Sequence, residues 1–297
     1  MVKERYSSTQ KNNQIDNVID LKELISVLWL WRNLIISITG LFAVLSIVYS
    51  LMLTNYYQSE SLIIARSNSP NQSALSQYSS IASLVGINMT GAGDNKAMEA
   101  MQIIQSRNFV KHLITFEDIL PSIMAPKSYD TSTNELILDR NIYNPQTKKW
   151  DQNDNEGPSY LEAHEKYMYS INVSYDKLTG FISISYEHIS PVFAKDFLEL
   201  IIKEANSILR NRDIIESTQA LSYLQDQLSK TPLIEIKESI NSLIQAQLET
   251  QMLAQINDDY VLVQIDPPYI AEKKSKPSRA AICIIGTIIG SVIAMFI

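Results

Sequence analysis

The chain has 297 residues, of which 45% are hydrophobic and 19% are charged, and its formal net charge is −7. An acidic chain lacks the basic face of a nucleic-acid-binding protein, so no nucleic acid is expected among its partners. The single cysteine, Cys283, excludes a disulfide within the chain. The three histidines have no acidic or thiol neighbours at the spacing of metal ligands, so neither a metal nor another cofactor is expected.

Residues 1–32 are predicted to be a polar tail that ends in an interfacial helix. Asp20 and Glu23 have the spacing of a capping box, in which each side chain bonds the backbone of the other residue and so starts a helix. Trp29 and Arg32 follow at the position where aromatic rings and cations mark the edge of a membrane.

Residues 33–53 are predicted to form the first transmembrane helix. They carry no charge and match the length of about 20 apolar residues that spans the hydrocarbon core of a bilayer. A cleaved signal peptide is the alternative, but the preceding tail and the length of the apolar run favour an uncleaved anchor. The lysines and arginines before this helix place the N-terminus in the cytoplasm, so residues 54–278 lie on the far side of the membrane.

The first half of this central segment is predicted to contain a strand at residues 57–65 and a helix with an apolar stripe at residues 95–116. Residues 118–158 alternate short apolar stretches with turn-forming residues and are expected to be irregular. Trp150, flanked by charged residues, resembles an aromatic that contacts carbohydrate, although such a tryptophan more often covers a loop. Neither possibility is excluded by the sequence.

The second half begins with a predicted β-hairpin. Apolar and polar residues alternate strictly over residues 169–175 and 181–186, which indicates two strands with one face in water. Ser190 is a good N-cap with Pro191 at the first helical position, and the helical pattern then continues to a break at Pro232. A second helix follows, so residues 190–257 form a hairpin too long to pack wholly on a small sheet. Its second helix is expected to turn these residues inward: Ile236, Ile240, Leu243, Ile244, Leu248 and Met252.

A strand at residues 259–266 leads back to the membrane through a proline-containing neck. Pro267, Pro268 and Pro277 have no amide hydrogen and resist helix formation, so they are candidates for holding the domain at a fixed orientation; the alternative is a simple linker. Arg279 then opens the second predicted transmembrane helix, residues 279–297.

Gly286 and Gly290 in that helix form a small-xxx-small pair, which permits close contact between membrane helices. The glycine pair could allow close contact with residues 33–53 or with a helix of a polymerase. The alternative is that both glycines only pack within one subunit.

Taken together, the order of these features resembles the bacterial polysaccharide chain-length determinant (Wzz) family, the polysaccharide co-polymerases. The resemblance rests on several features: residues 19–21 and Leu28-Trp29 before the first membrane helix, the hairpin ending in 183–186, the long helical stretch, residues 263–267 with Glu272-Lys273 and residues 277–279, and the glycine pair. The family pattern has a further proline where Ala271 stands here, so the neck departs from it at that position.

The resemblance implies an α+β protein with two transmembrane helices flanking a periplasmic domain, in which a mixed α/β base carries a long projecting helical hairpin. It also implies a non-enzymatic regulator in the bacterial inner membrane that forms ring-shaped homo-oligomers. The implied partners are a Wzy-type polymerase, membrane lipid and the growing lipid-linked glycan, and the implied product is lipopolysaccharide O-antigen or a related glycan.

Two other classes of protein share this layout. A periplasmic sensor module would also have two membrane helices, and an export adaptor would also have a long periplasmic hairpin. No nucleophile elbow, phosphate-binding loop or metal-ligand spacing points to catalysis.

Overall fold

A computed structural model of the chain describes residues 29–66, 92–150, 157–257 and 259–296. The chain forms two compact units, one of Met1–Leu53 with Ser278–Ile297 and the other of Thr54–Pro277. The predicted capping box at Asp20 and Glu23 lies outside the described residues. The elements in chain order are α1 (Arg32–Met52), β1 (Tyr57–Ala65), α2 (Ala92–Ile104), α3 (Arg107–Leu113), α4 (Ile119–Met124), β2 (Pro126–Asp130), β3 (Glu135–Leu138), β4 (Tyr143–Asn144), β5 (Lys149–Trp150), α5 (Tyr160–Ser170), β6 (Ile171–Tyr175), β7 (Phe181–His188), α6 (Pro191–Lys230), α7 (Ile234–Ile256), β8 (Leu262–Asp266) and α8 (Arg279–Phe296).

The first unit is a pair of helices, α1 and α8, which pack against each other. Both are long and apolar enough to span a membrane, with mean hydropathies of 2.3 and 2.1. Most of their large side chains are exposed in this unit, as expected for helices whose apolar surface faces lipid.

The second unit is built on a four-stranded antiparallel sheet with the strand order β6-β7-β1-β8. Its core face carries Ile63 from β1 opposite Ile182 from β7, and both are fully buried in one cluster with Phe197 and Ile201 of α6. The opposite face mixes serine, asparagine and glutamate side chains with the half-buried or exposed Leu62, Ile64 and Phe181. The predicted α+β class is thereby confirmed, as is the β-hairpin with one polar face.

Two local predictions in this unit were wrong. The helix expected over residues 95–116 is interrupted, because the Ser106 hydroxyl accepts a hydrogen bond from the Phe109 amide at 3.1 Å and so caps a new helix, α3. The strand expected from residue 169 starts at Ile171, because residues before it form α5. That helix begins at a capping box in which Ser159 and Glu162 bond each other's backbone.

The irregular excursion predicted for residues 118–158 contains more order than expected. The described part holds α4 and two small two-stranded sheets, β2-β3 and β4-β5. Tyr167 of α5 is fully buried. Its hydroxyl donates a hydrogen bond to the Ile104 carbonyl, which joins α5 to the end of α2.

The long helical hairpin follows the prediction in its ends but not in its packing. Ser190 caps α6, accepting from the Phe193 amide at 3.2 Å, and Pro191 is its first residue. The helix has 40 residues and a length of about 60 Å at about 1.5 Å per residue. Of the α7 residues expected to face inward, only Ile240 is buried and Ile244 is half-buried, while Ile236, Leu243, Leu248 and Met252 are exposed. Two paired helices bury one narrow seam, so the other apolar residues of α7 have nothing to cover them in a single chain.

An asparagine fastens α6 to the edge of the sheet. Asn206 is buried, its Oδ1 accepts from the amides of Val261 and Leu262 at 3.0 and 2.8 Å, and its Nδ2 donates to the Leu262 carbonyl at 2.9 Å. All of the side chain's polar atoms are therefore used against two adjacent backbone units.

A histidine is buried where β7 ends. His188 accepts from the Ser190 amide through Nδ1 at 3.1 Å, so Nε2 carries the hydrogen and donates to the Ser122 carbonyl at 3.0 Å. Burial lowers the pKa of His188 from its ordinary value to about 4, and the two backbone hydrogen bonds offset only part of that effect.

The pH dependence of stability should carry a contribution from this side chain. In the unfolded chain His188 is protonated below about pH 6.5, whereas in the folded chain it is protonated only below about pH 4. The free energy of unfolding is therefore expected to fall by up to about 3 kcal/mol between these values and to stop falling below them. Denaturant titrations of the detergent-solubilised chain at several pH values would measure it. In His188→Asn the free energy of unfolding should fall less steeply with decreasing pH, by the equivalent of about one bound proton. An unchanged slope would contradict the assignment.

Candidate functional site

The residues predicted as a site fall into two groups. Pro267, Pro268 and Pro277 lie in the unit that contains the sheet, whereas Arg279, Gly286 and Gly290 lie on α8 in the helical unit. We call residues 267–277 the neck. Pro267 is exposed, Pro268 is buried and Pro277 is half-buried, and the neck runs back along β1.

Two serines of β1 bind the start of the neck. The Ser59 hydroxyl donates to the Tyr269 carbonyl at 2.8 Å, and the Ser61 hydroxyl donates to the Asp266 carbonyl at 2.7 Å. Both serines are buried on the core face of the sheet, where an unpaired hydroxyl would be costly. Their acceptors are the carbonyls of Tyr269 in the neck and of Asp266, the last residue of β8 before it.

A short backbone bridge and a carboxylate bind the end of the neck. The Tyr56 amide donates to the Lys276 carbonyl at 2.9 Å, and the Ser275 amide donates to the Tyr56 carbonyl at 2.8 Å. Glu187 of β7, whose side chain is only 16% exposed, accepts from the Ser275 hydroxyl at 2.7 Å and pairs with the Lys276 ammonium at 2.5 Å. Hydrogen bonds to an ionised group are stronger than neutral ones, so Glu187 is a main anchor of the neck.

Sequence reasoning missed Ser59, Ser61, Glu187 and Ser275. No local signal marks them, because each binds a residue roughly 90 or more than 200 positions away. The alternation of β1 did indicate that its serines share a face with Ile63, which is the one feature that could have drawn attention to them.

Between the neck and β1 lies an open cleft of about 620 Å³, which we call the neck cleft. It brings together an aromatic ring, an amide, two carboxylates and an ammonium group. The lining residues are Gln58, Glu60, Tyr269, Ile270, Ala271, Glu272, Lys273 and Ser275. Ala271, the position at which the neck lacks the expected proline, is nearly buried in its wall.

The two glycines of α8 pack against α1 of the same chain. A Cβ atom on Gly286 would lie 2.7 Å from Ser46 Cβ, and one on Gly290 would lie 2.8 Å from Phe42 Cγ. Real Cβ atoms do not approach so closely, so only glycine allows this spacing. Gly40 on α1 has no atom within 4 Å of the same position. Intrachain packing therefore accounts for both glycines of the pair.

A second, smaller groove contains Trp150. Its volume is about 390 Å³, and α5 contributes Glu162, Glu165, Lys166 and Tyr169 to its wall. The indole of Trp150 packs on Tyr143 with ring centroids 4.7 Å apart, and Gly157 lies against its other atoms so tightly that a Cβ would come within 2.6 Å. Packing on two sides favours the structural role of Trp150 over a role in binding carbohydrate.

Within the described residues, no group of three histidine, cysteine, aspartate or glutamate side chains is arranged to hold a metal ion. In the neck, the Ser275 hydroxyl bonds the Glu187 carboxylate, which also pairs with Lys276, so this contact fixes the neck to the sheet. What the arrangement at the neck can do chemically is bind: it offers hydrogen-bond donors, acceptors and an aromatic face in one open cleft.

Comparison with known proteins finds a match to one family over part of the chain. The model of the Wzz family, described as chain length determinant protein, matches residues 17–116. Among solved structures, a full-length bacterial polysaccharide co-polymerase is 12% identical over 93% of this chain and 95% of that chain, with a TM-score of 0.39. A fragment of WzzB, a polysaccharide co-polymerase from Salmonella Typhimurium, is 12% identical over 75% of this chain and 100% of that chain, with a TM-score of 0.28. No curated protein matches the sequence.

Proposed function

We propose that the chain belongs to the chain length determinant (Wzz) family, whose model matches residues 17–116, and that it is a non-enzymatic regulator of the length of a bacterial surface polysaccharide. The observation that carries this proposal is the family match over residues 17–116, which includes α1 and the segment leading into the sheet. The proposed product is lipopolysaccharide O-antigen, and the proposed partner is a Wzy-type polymerase; both come from the family resemblance.

The proposed location is the bacterial inner membrane, with the sheet-containing unit in the periplasm. Two helices of membrane-spanning length, α1 and α8, bracket that unit in the sequence. Lysines and arginines before α1 favour a cytoplasmic N-terminus. In this arrangement the neck prolines stiffen the tether, and the glycine pair lets α1 and α8 pack closely.

Self-assembly is the second part of the proposal. α7 leaves large apolar side chains exposed on more than one flank of the helix, which is unusual for a soluble monomer. They are Leu233, Ile234, Ile236, Leu243, Leu248, Met252 and Ile256, of which the first precedes the helix. A second copy of the hairpin, with the same helical period, would cover them. Repetition of one such contact around an axis gives the closed ring that the family resemblance implies.

Deletion of the gene should convert a narrow modal glycan ladder into a random distribution of lengths on a gel, and expression from a plasmid should restore it. An unchanged ladder would sink the proposal. Particles of the detergent-solubilised chain provide a second readout, since a closed ring is expected, whereas a stable dimer would favour a sensor module.

A further inference from the structure

We propose that the neck cleft binds a segment of the glycan itself, with a sugar ring stacked on Tyr269. This inference rests on the proposed function, because it takes the polysaccharide being lengthened as the ligand. It adds a direct binding site to a protein otherwise described as a regulator of a polymerase.

The size and lining of the neck cleft suit a sugar. Its volume of about 620 Å³ lies within the range of about 300–1,000 Å³ that is usual for small-molecule sites. Tyr269 is 51% exposed, so about half of the residue is open to a ligand. An aromatic ring with a polar tip offers an apolar face for the C–H groups of a pyranose and a hydroxyl for its edge.

The polar groups that line the neck cleft together with Tyr269 can bond hydroxyl groups. Gln58 has both donors and an acceptor in its amide. Glu60 uses one carboxylate oxygen to accept from the Ser183 hydroxyl at 2.7 Å, which fixes its orientation. A carboxylate has further lone pairs for a ligand hydroxyl. Because Gln58 and Glu60 alternate along β1, both project from the polar face of the sheet.

The charges of the neck cleft exclude a phosphate as the preferred ligand. Two carboxylates, Glu60 and Glu272, face one ammonium group, Lys273, and an anion would be repelled more than attracted. A neutral or amino sugar carries no such penalty. The chemistry therefore favours the sugar units of a lipid-linked glycan over its phosphate-containing carrier.

The neck cleft is close in sequence to both helices of membrane-spanning length. Only a few residues separate Gln58 from the end of α1 and Ser275 from the start of α8. If those helices span the membrane, a polymer assembled on a membrane lipid would be within reach. The Trp150 groove, by contrast, belongs to a part of the chain distant in sequence from both helices.

Binding of the polysaccharide purified from the producing strain can be measured on the full chain in lipid nanodiscs by saturation-transfer NMR. Tyr269→Ala is expected to raise the dissociation constant fivefold or more, while Tyr269→Phe, which keeps the ring, should stay within twofold of the wild type. Tyr169→Ala is the matched control, because Tyr169 is also an exposed tyrosine but lines the Trp150 groove.

Equal affinity for all variants, or no binding by the wild type, would overturn the inference, and so would a loss confined to Tyr169→Ala. These results are separable from the proposed function. A ladder that changes on gene deletion, together with unchanged binding in Tyr269→Ala, would leave the regulator in place and remove only the glycan site.

Discussion

Asp213→Ala is expected to lower the free energy of unfolding by about 3–5 kcal/mol, the cost of removing one partner of a buried ion pair. The Asp213 side chain is 8% exposed, pairs with the Lys96 ammonium at 2.9 Å and accepts from the Tyr260 hydroxyl at 2.7 Å. It therefore joins α2, α6 and the segment before β8. The substitution would remove the acceptor of the fully buried Tyr260 hydroxyl and leave Lys96 with the more distant Glu99, at 3.6 Å, as its counter-charge.

The control for Asp213 lies on the same helix. Asp196 pairs with Lys195 at 3.3 Å but is 61% exposed, and exposed ion pairs contribute only about 0–1 kcal/mol. Denaturant titration of the full chain in detergent should show a much larger loss for Asp213→Ala than for Asp196→Ala. Equal losses of free energy of unfolding in the two variants would show that burial does not strengthen the interactions of Asp213.

Gly290→Val should separate α1 from α8. Its Cβ would meet Phe42 Cβ and Cγ, with Cγ at 2.8 Å; Phe42 Cβ is fixed to the backbone, so the helices themselves must move. Overpacking of this kind costs about 1–3 kcal/mol. Unfolding in mixed SDS micelles, followed by the helical circular dichroism signal, should shift to lower SDS.

Gly40→Val is a matched control, because Gly40 is also in a membrane-length helix and has open space around it. The intrinsic effect of replacing glycine by valine in a helix is common to both variants and cancels in the comparison. If the two variants unfolded at the same SDS fraction, close packing at Gly290 would contribute nothing to the stability of the pair.

The elements that sequence reasoning placed well are those with strong local signals. Ser190 and Pro191 begin α6 and Pro232 separates it from α7, because capping and proline geometry act within a few residues. The wrong predictions arose where one local signal hid another. The apolar stripe over residues 95–116 continues past Ser106, although the first helix ends before that residue. The capping box at Ser159 was not recognised as the start of a helix.

The candidate site was predictable only in part, for a different reason. The neck prolines stand out in the sequence by composition, whereas Glu187 is one glutamate among many until β7 is placed beside β1. Its bonds to Ser275 and Lys276 depend on a sheet that brings distant segments together. The prediction that the apolar residues of α7 face inward was wrong for a similar reason. An apolar stripe indicates that a contact is made, but not whether the same chain makes it.

The bonds of Asn206 have a consequence for how copies of this protein can meet. β8 is an edge strand of the sheet, and an open edge invites a strand of another molecule to pair with it, which leads to aggregation. Leu262 gives both its amide and its carbonyl to the Asn206 side chain, so this stretch of the edge has no free backbone groups to offer a neighbour. A strand of another molecule therefore cannot extend the sheet at Leu262.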